Sequence, residues 1–116
     1  MIIDRIVLHN FGLYAGHQEI ELTPPSRERP VVLIGGMNGG GKTTLLDALH
    51  LAFYGPSGQC AGRGNQAYKA YLQAMIHRGA DPGEGAGVEV VFRRVVDGKW
   101  KEIVLKRSWH VARGRV

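Results

Sequence analysis

The chain has 116 residues, 44% of them hydrophobic, and a net charge of +5, so it forms one small domain or part of a larger one and can accept an anionic partner such as nucleic acid. Its longest apolar stretch, 45–54, is interrupted by Asp47 and is too short to cross a bilayer, and charges at Asp4 and Arg5 exclude a secretory signal. Cys60 is the only cysteine, which excludes an internal disulfide and favours a reducing compartment, so we expect a cytoplasmic protein without membrane contact.

Two strands are predicted at the start of the chain. Residues Ile2 to Asn10 are predicted to form the first strand, and residues 11–16 the turn after it. The segment Gln18 to Leu22 alternates apolar and acidic residues, as expected for a half-buried strand. A polar, proline-containing stretch from Thr23 to Arg29 then predicts a surface loop.

A buried strand and a helix are predicted next. The run Pro30 to Ile34 is short and rich in β-branched residues, which favours a buried strand. Residues Thr43 to Tyr54 predict a helix that ends at Gly55-Pro56. Its apolar residues cover more than one face, so we expect it to be largely buried; they are Leu45, Leu46, Ala48, Leu49, Ala52 and Phe53.

The segment between this strand and helix has five glycines among the seven residues 35–41. Residues 36–43 fit the pattern G-x-x-x-x-G-K-[ST] at every fixed position. Glycines leave room for backbone N–H groups to surround phosphate oxygens, and the following helix adds the positive end of its dipole. The alternative is a glycine-rich turn that matches by accident, which the flanking strand and helix argue against.

This pattern predicts a phosphate-binding loop with distinct roles for its last residues. Lys42 is placed to reach the β- and γ-phosphates of a nucleotide, and Thr43 to offer its hydroxyl to Mg²⁺. The predicted nucleotide-binding residues are Gly36, Asn38, Gly39, Gly40, Gly41, Lys42, Thr43 and Thr44. No catalytic residue is assigned within this chain.

The second half of the chain predicts a short helix and a β-hairpin. Residues 55–66 form a glycine-rich loop, Tyr68 to His77 a helix, and residues 79–87 another loop. Asp97-Gly98 is a favoured two-residue turn between strands 88–96 and 99–111. That turn pairs positions whose numbers sum to 195, which sets apolar residues opposite one another on one face and opposite charges on the other.

Four further side chains have a structural interpretation and a functional alternative. Trp100 and Trp109 lie on the hairpin strands, where packing is favoured over stacking on nucleic-acid bases. Cys60 is expected to be a structural thiol rather than a reactive one. Arg63 is expected to be a solvated loop residue, with a contact to nucleotide or DNA as the alternative.

The predicted elements together indicate a fold class. Antiparallel pairs together with one strand–loop–helix unit predict an α/β fold with a mixed sheet.

The residues of the loop and its flanks resemble those of a known superfamily. The form N-G-x-G-K-[ST] at 38–43, the start IVLHNFGLYAGHQEIEL and the helix LLDALHLAFYG are similar to the heads of SMC-like ATPases, the ABC-type relatives that organise and repair DNA. More narrowly, the phrases NFGLYAG, LTPPS, CAGRGNQAYKAYL, IHRGADP and KRSW resemble the DndD family of bacterial DNA phosphorothioation. This resemblance covers nearly all of the chain.

The resemblance implies a P-loop NTPase fold, in which residues 1–116 are the N-terminal ATP-binding lobe of an ABC/SMC-like head with a mixed sheet around a buried P-loop helix. It implies ATP and Mg²⁺ as cofactors. It implies DNA, a second head in a homodimer and other phosphorothioation proteins as partners. In such proteins a C-terminal lobe beyond a long coiled coil supplies the water-activating Asp-Glu pair, so this segment alone is expected to be inactive.

Two classes of function remain open from the sequence. One is ATP binding and hydrolysis coupled to DNA sulfur modification, or to the work of another SMC-like DNA repair ATPase. The other is a non-catalytic basic module that binds DNA or acts as a scaffold. A small P-loop kinase or GTPase is less favoured, because the chain is short and lacks the guanine-reading motif N-K-x-D.

Overall fold

The computed structural model describes residues 2–22, 41–58, 60 and 63–116, with backbone alone at 41–43. The elements in chain order are β1 (Ile2–Phe11), β2 (Tyr14–Glu21), α1 (Gly41–Tyr54), α2 (Tyr68–Ala74), β3 (Ala86–Val96) and β4 (Lys99–Trp109), with one 3₁₀ turn at Gly55–Ser57. Four strands form one sheet in the order β2-β1-β3-β4. All three neighbouring pairs in this described sheet are antiparallel.

The register predicted for the hairpin is confirmed. Val90 lies opposite Leu105 and Phe92 opposite Ile103 on the face that carries the core. On the other face, Glu89 lies opposite Lys106. The turn residues Asp97 and Gly98 both have positive φ, as a two-residue type I′ connection requires. The strands extend from Ala86 to Trp109, so β3 begins two residues before the predicted start and β4 ends two residues before the predicted end.

The core lies between one face of the sheet and the two helices. Apolar side chains of β1 and β3 meet apolar side chains of α1 and α2, which leaves most of them under one tenth exposed. The residues of this core are Ile6, Leu8, Phe11, Leu45, Ala48, Leu51, Ala52, Cys60, Tyr71, Leu72, Val88, Val90 and Phe92. Burial of such side chains stabilises the fold by about 1.5–3 kcal/mol each for the larger ones.

Helix α1 is less completely buried than predicted. Leu46 is 56% exposed and Tyr54 is 61% exposed, whereas Leu45 and Leu51 are buried. Residues 46, 50 and 54 are four apart, so they follow the side of the helix that faces away from the core. The expectation that Leu46 belongs to a buried face is therefore wrong. α1 begins at Gly41, two residues before its predicted start.

The first turn and the second helix are both shorter than predicted. Phe11 pairs directly with Tyr14, so two residues rather than six separate β1 from β2. α2 ends at Ala74 instead of His77 because Ile76 forms an isolated bridge with Phe11 and the His77 amide donates to the Asn10 carbonyl at 2.7 Å. The chain thus leaves the helix to pair with the end of β1.

Part of the predicted fold lies outside the described residues. These parts are the loop 23–29, the strand 30–34 and residues 36–40 of the phosphate-binding loop. Because strand 30–34 is the one that would make the sheet mixed, the mixed sheet and the head-lobe arrangement stay predictions. The described part has α and β elements in one layer each, a helical layer on a four-stranded antiparallel sheet.

Candidate nucleotide site

The first turn of α1 carries the end of the predicted phosphate-binding loop. Helix α1 begins at Gly41, so Gly41, Lys42, Thr43 and Thr44 form its first turn. The first four N–H groups of a helix have no acceptor within the helix, and they carry the positive end of its dipole. No acidic residue lies in this turn, so no carboxylate of the turn itself competes for those amides.

The predicted site residues divide into three groups. Gly36, Asn38, Gly39 and Gly40 lie outside the described residues. Gly41, Lys42 and Thr43 are placed by their backbone in the first helical turn. Thr44 is placed completely and is 8% exposed, so its side chain belongs to the interior rather than to open solvent.

The turn between β1 and β2 packs against Thr44. Gly12 has φ of +56°, and a Cβ placed on it would lie 2.9 Å from Cγ2 of Thr44 and 3.0 Å from Cε of Met75. Glycine is therefore needed here both for its backbone conformation and for the close approach of Thr44. Leu13, the next residue, is 60% exposed. This contact brings a segment from the start of the chain to the first turn of α1.

The same turn is held in place by the segment after α2. The Gly12 amide donates to the Met75 carbonyl at 2.7 Å, and ring nitrogen Nδ1 of His77 donates to the Gly12 carbonyl at 2.8 Å. Both backbone polar groups of Gly12 are thus paired with residues more than 60 positions away. His77 acts here as a structural anchor, a role that periodicity could not reveal because its partner is distant in sequence.

Asn10 shapes the end of β1 immediately before this turn. It has φ of +46°, a conformation that asparagine tolerates better than most residues, and it is 7% exposed. Its side-chain oxygen accepts from the Gly16 amide at 2.8 Å, and its side-chain nitrogen donates to the Gly85 carbonyl at 3.4 Å. Asn10 therefore ties β2 and the start of β3 to the turn that contacts Thr44, while Phe11 enters the core.

The opposite end of α1 is fixed by an arginine from β4. Nε of Arg107 donates to the Ala52 carbonyl at 3.0 Å, and a Cβ on Gly55 would lie 3.1 Å from the guanidinium. Helix α1 has no basic residue in its own last turn, so Arg107 supplies the positive charge that complements the negative end of the dipole. Gly55, at φ of +55°, allows this close approach.

The cysteine behaves as a structural thiol, as predicted. Cys60 is 8% exposed and its thiol donates to the Asp47 carbonyl at 3.4 Å. Burial raises the pKa of Cys60 above its ordinary value, so the nucleophilic thiolate is disfavoured at neutral pH. Burial also raises the pKa of the neighbouring Tyr71 hydroxyl. Cys60 thus connects α1, through the Asp47 carbonyl, with Tyr71 of α2.

Arg63 is engaged within its own loop. Its guanidinium donates to the Gln66 carbonyl at 2.9 Å and to the Pro56 carbonyl at 2.6 Å, and it lies 5.6 Å from the centre of the Tyr68 ring. These contacts close the loop between α1 and α2. Arg63 is therefore a loop residue with solvent-exposed contacts, as expected from the sequence, and these contacts add a structural role within the loop.

A P-loop sequence leading into a helix that packs on a β-sheet defines the class of P-loop ATPase-like α/β proteins. The comparison of families agrees with that class: the family described as "AAA domain" matches residues 5–115. The chain belongs to this AAA-type family of P-loop ATPases.

Two curated relatives, each described as a subunit of the nuclease SbcCD, are similar to parts of the chain. The protein from Vibrio cholerae is 37% identical over 62 residues, which are 53% of this chain and 6% of that protein. The protein from Treponema pallidum is 41% identical over 51 residues, which are 44% of this chain and 5% of that protein. The matches thus cover about a twentieth of the length of these relatives.

Two further findings concern solved structures and membranes. No solved structure matches the chain significantly. Among the described helices, none combines the length and the apolar character needed to span a bilayer.

Proposed function

We propose that this chain is the ATP-binding lobe of an SMC-like ATPase head that works with DNA. The observation that carries this is the start of α1 at Gly41, inside the pattern G-x-x-x-x-G-K-[ST]. The pattern requires a helix to begin where the loop ends, so that free amides and the helix dipole face the phosphates. A glycine-rich turn that matched the pattern by chance would not need a helix to begin at this position.

The residues of the first turn fit a nucleotide with Mg²⁺. The amides of Gly41 to Thr44 are suited to phosphate oxygens, Lys42 to the β- and γ-phosphates and Thr43 to the metal ion. Residues 36–40, outside the described part, complete the proposed loop. ATP would supply the electrophilic phosphorus, and Mg²⁺ would neutralise charge on the phosphates. The protein would position both. Tight packing of Gly12 on Thr44 keeps the first turn in place.

The specific role we propose is ATP hydrolysis coupled to DNA phosphorothioation, as in the DndD family. The phrases NFGLYAG, CAGRGNQAYKAYL and IHRGADP support it. Their residues include Asn10, Gly12 and His77, which make the contacts that hold the turn beside Thr44. The partners we propose are DNA, a second copy of the head and other phosphorothioation proteins, in the cytoplasm.

The second candidate is the head of a different SMC-like DNA repair ATPase. The two relatives, both described as subunits of the nuclease SbcCD, favour it. The two candidates share ATP binding and DNA association and differ in what the ATPase cycle drives. A deletion of the gene separates them: loss of phosphorothioate from genomic DNA supports the first, and intact phosphorothioate with sensitivity to DNA breaks supports the second.

Binding of ATP by the full-length protein tests the site itself. Lys42→Ala is expected to weaken binding of a fluorescent ATP analogue by at least about tenfold, because the change removes the only side-chain charge within the motif. Lys69→Ala, at an exposed position of α2, is the matched control and is expected to leave affinity unchanged. Equal affinities for the wild type and Lys42→Ala, with both folded, would rule out the site.

The non-catalytic alternative is tested with the same variants. A DNA-binding or scaffold module whose loop is not used would bind DNA with a steep dependence on salt, and ATP would have no effect on that binding. The proposed ATPase head predicts that ATP changes DNA affinity in the wild type and not in Lys42→Ala. An ATP-insensitive wild type would favour the scaffold.

A further inference from the structure

The far end of the hairpin has a composition unlike the rest of the sheet. We call residues 94–101, which surround the turn at Asp97-Gly98, the hairpin tip. On one face of the tip, Val95 lies opposite Trp100. On the other face, Arg94 lies opposite Lys101 and Val96 lies opposite Lys99. The tip therefore has an aromatic surface on one side and three cations on the other.

These side chains are open to solvent. Trp100 is 58% exposed and Val95 is 50% exposed, although the sequence predicts that Trp100 packs. Arg94, Lys99 and Lys101 are also exposed. Within the described part of the chain, the arginine ion pairs found are those of Arg5 and Arg93, and no ion pair found involves the three cations of the tip.

A simpler explanation covers only half of this arrangement. β4 is an edge strand of the described sheet, and edge strands commonly carry lysine to block pairing with other chains. Lys99 and Lys101 fit that role. An exposed tryptophan works against it, because a large apolar ring at a sheet edge favours association. The exposed indole of Trp100 therefore needs a reason of its own.

We propose that the hairpin tip binds a single strand of DNA, with a base stacked on Trp100 and phosphates held by Arg94, Lys99 and Lys101. Stacking on an exposed aromatic ring and contacts between cations and the backbone are how proteins bind single strands without reading sequence. A two-stranded ribbon is only one backbone thick, so long lysine and arginine side chains reach a strand that crosses the tip beside Trp100. The surface deepens the function proposed above and rests on it for the identity of the partner as DNA.

Charge selects DNA over a protein as the occupant. The exposed apolar residues of this face, Val95, Trp100 and Val104, would suit a protein surface as well. Yet the opposite face of the same tip carries three cations, and the tip as a whole has a single carboxylate, Asp97. The whole chain also carries a net charge of +5, which raises the rate at which a polyanion is captured.

The test measures binding of a fluorescein-labelled oligothymidine to the full-length protein by anisotropy, without nucleotide. Trp100→Ala is expected to weaken binding about tenfold, because one stacked base is lost. Trp100→Phe keeps an aromatic face and is expected to stay within about threefold of the wild type. Thermal unfolding of both variants checks that the exposed position has not altered the fold.

Charge-matched variants test the cations. Replacement of Arg94, Lys99 and Lys101 by glutamine is expected to lower the slope of log affinity against log salt by about 2, since each phosphate contact on a single strand contributes about 0.7. Glutamine at Lys69, Arg78 and Arg115 removes the same charge from exposed positions elsewhere and is the control. Equal losses in the two triple variants would overturn the assignment, because general attraction would then explain the binding.

Other outcomes separate this surface from the ATP site. If Trp100→Ala bound the oligothymidine with wild-type affinity, the stacking contact would be overturned. The same would follow if the protein bound duplex DNA more tightly than the single strand and Trp100→Ala did not change the binding of duplex. If Trp100→Ala changed the sedimentation of the protein but not its affinity for DNA, the DNA surface would be overturned and the tip would be assigned to a protein partner instead. Lys42→Ala is expected to bind the oligothymidine normally without nucleotide, so a failed ATP site and a failed DNA surface give different results.

Discussion

The two tryptophans of β4 lie nine residues apart on one strand and have different environments. Trp109 packs edge-on against Phe11, with ring centres 6.0 Å apart, and its indole N–H donates to the Leu72 carbonyl at 2.7 Å. Trp100 is 58% exposed beside the hairpin turn. Side chains nine positions apart on a strand point to opposite faces of the sheet, so Trp109 lies on the face that carries the core and Trp100 lies on the opposite face.

The hairpin also differs between its base and its tip. Its base, from Ala86 to Phe92 and from Ile103 to Trp109, supports α1 through core contacts and through Arg107. Its tip carries no core residue among those that the structure describes. A base that holds the P-loop helix and a tip that projects toward a partner would link the ATP site to a DNA surface through one rigid ribbon.

The largest predicted effect compares a glycine at each end of the hairpin. Gly85 has φ of +78°, and a Cβ on it would overlap the Trp109 carbonyl oxygen, which requires the backbone to move. Gly98 has φ of +77° with open space around it. Gly85→Ala is expected to lower the free energy of unfolding by about 3 kcal/mol or more, and Gly98→Ala by about 1 kcal/mol. Urea denaturation of the two variants measures both values.

The pair contains its own control, since both glycines have almost the same φ. Strain in the left-handed conformation is common to the two substitutions, so the difference between them reports the clash at the base alone. Similar losses of unfolding free energy at Gly85 and Gly98 would contradict the distinction between a packed base and a free tip.

A smaller effect is expected from the tryptophans themselves. Trp109→Phe removes the hydrogen bond to the Leu72 carbonyl and part of the contact with Phe11, so we expect a loss of about 2 kcal/mol. Trp100→Phe is expected to change stability by less than about 0.5 kcal/mol, as for other exposed positions. Thermal melts of both variants measure this, and a large loss at Trp100 would mean that the tip packs on part of the full-length protein.

The sequence predicted local pairing well because the information was local. The turn residues Asp97-Gly98 and the alternation of Glu89, Val90, Lys106 and Leu105 fix the register without reference to the rest of the chain. The same alternation also sets Trp109 on the face of Leu105 and Trp100 on the opposite face, so the two rings could have been distinguished from the sequence. It could not show what covers Trp109, because Phe11 and Leu72 are distant in sequence.

The candidate nucleotide site stays a prediction, and the same distinction between local and distant information applies to it. The phosphate-binding pattern is contiguous, and the helix it requires begins inside it at Gly41. The contacts that support the first turn join Gly12, Thr44, Met75 and His77, which are far apart in sequence and show no periodic pattern. In the sequence, Asn10 and Gly12 stand out only as part of the phrase NFGLYAG. Both residues have positive φ in the structure, which is a physical reason for asparagine and glycine at these positions.

The last predicted effect concerns alkaline pH and two buried titratable groups. Burial raises the pKa values of Cys60 and Tyr71, both on the packed side of the molecule. The unfolded chain releases these protons near pH 9 and pH 10, while the folded chain retains them, so the unfolded state binds fewer protons above pH 9. Stability from these groups is fully present below pH 9 and is lost as the pH rises.

The expected loss is at most about 1.4 kcal/mol per pH unit for each group between about pH 9 and pH 11. Tyr71→Phe removes one of the two titrating groups, so the free energy of unfolding should fall less steeply with pH in this variant than in the wild type. Tyr54→Phe, which removes a hydroxyl from the exposed side of α1, is the matched control for the loss of a tyrosine hydroxyl. Equal slopes for Tyr71→Phe and Tyr54→Phe would show that the Tyr71 hydroxyl does not contribute to the loss of stability at alkaline pH, and would leave the Cys60 thiol as the buried group that does.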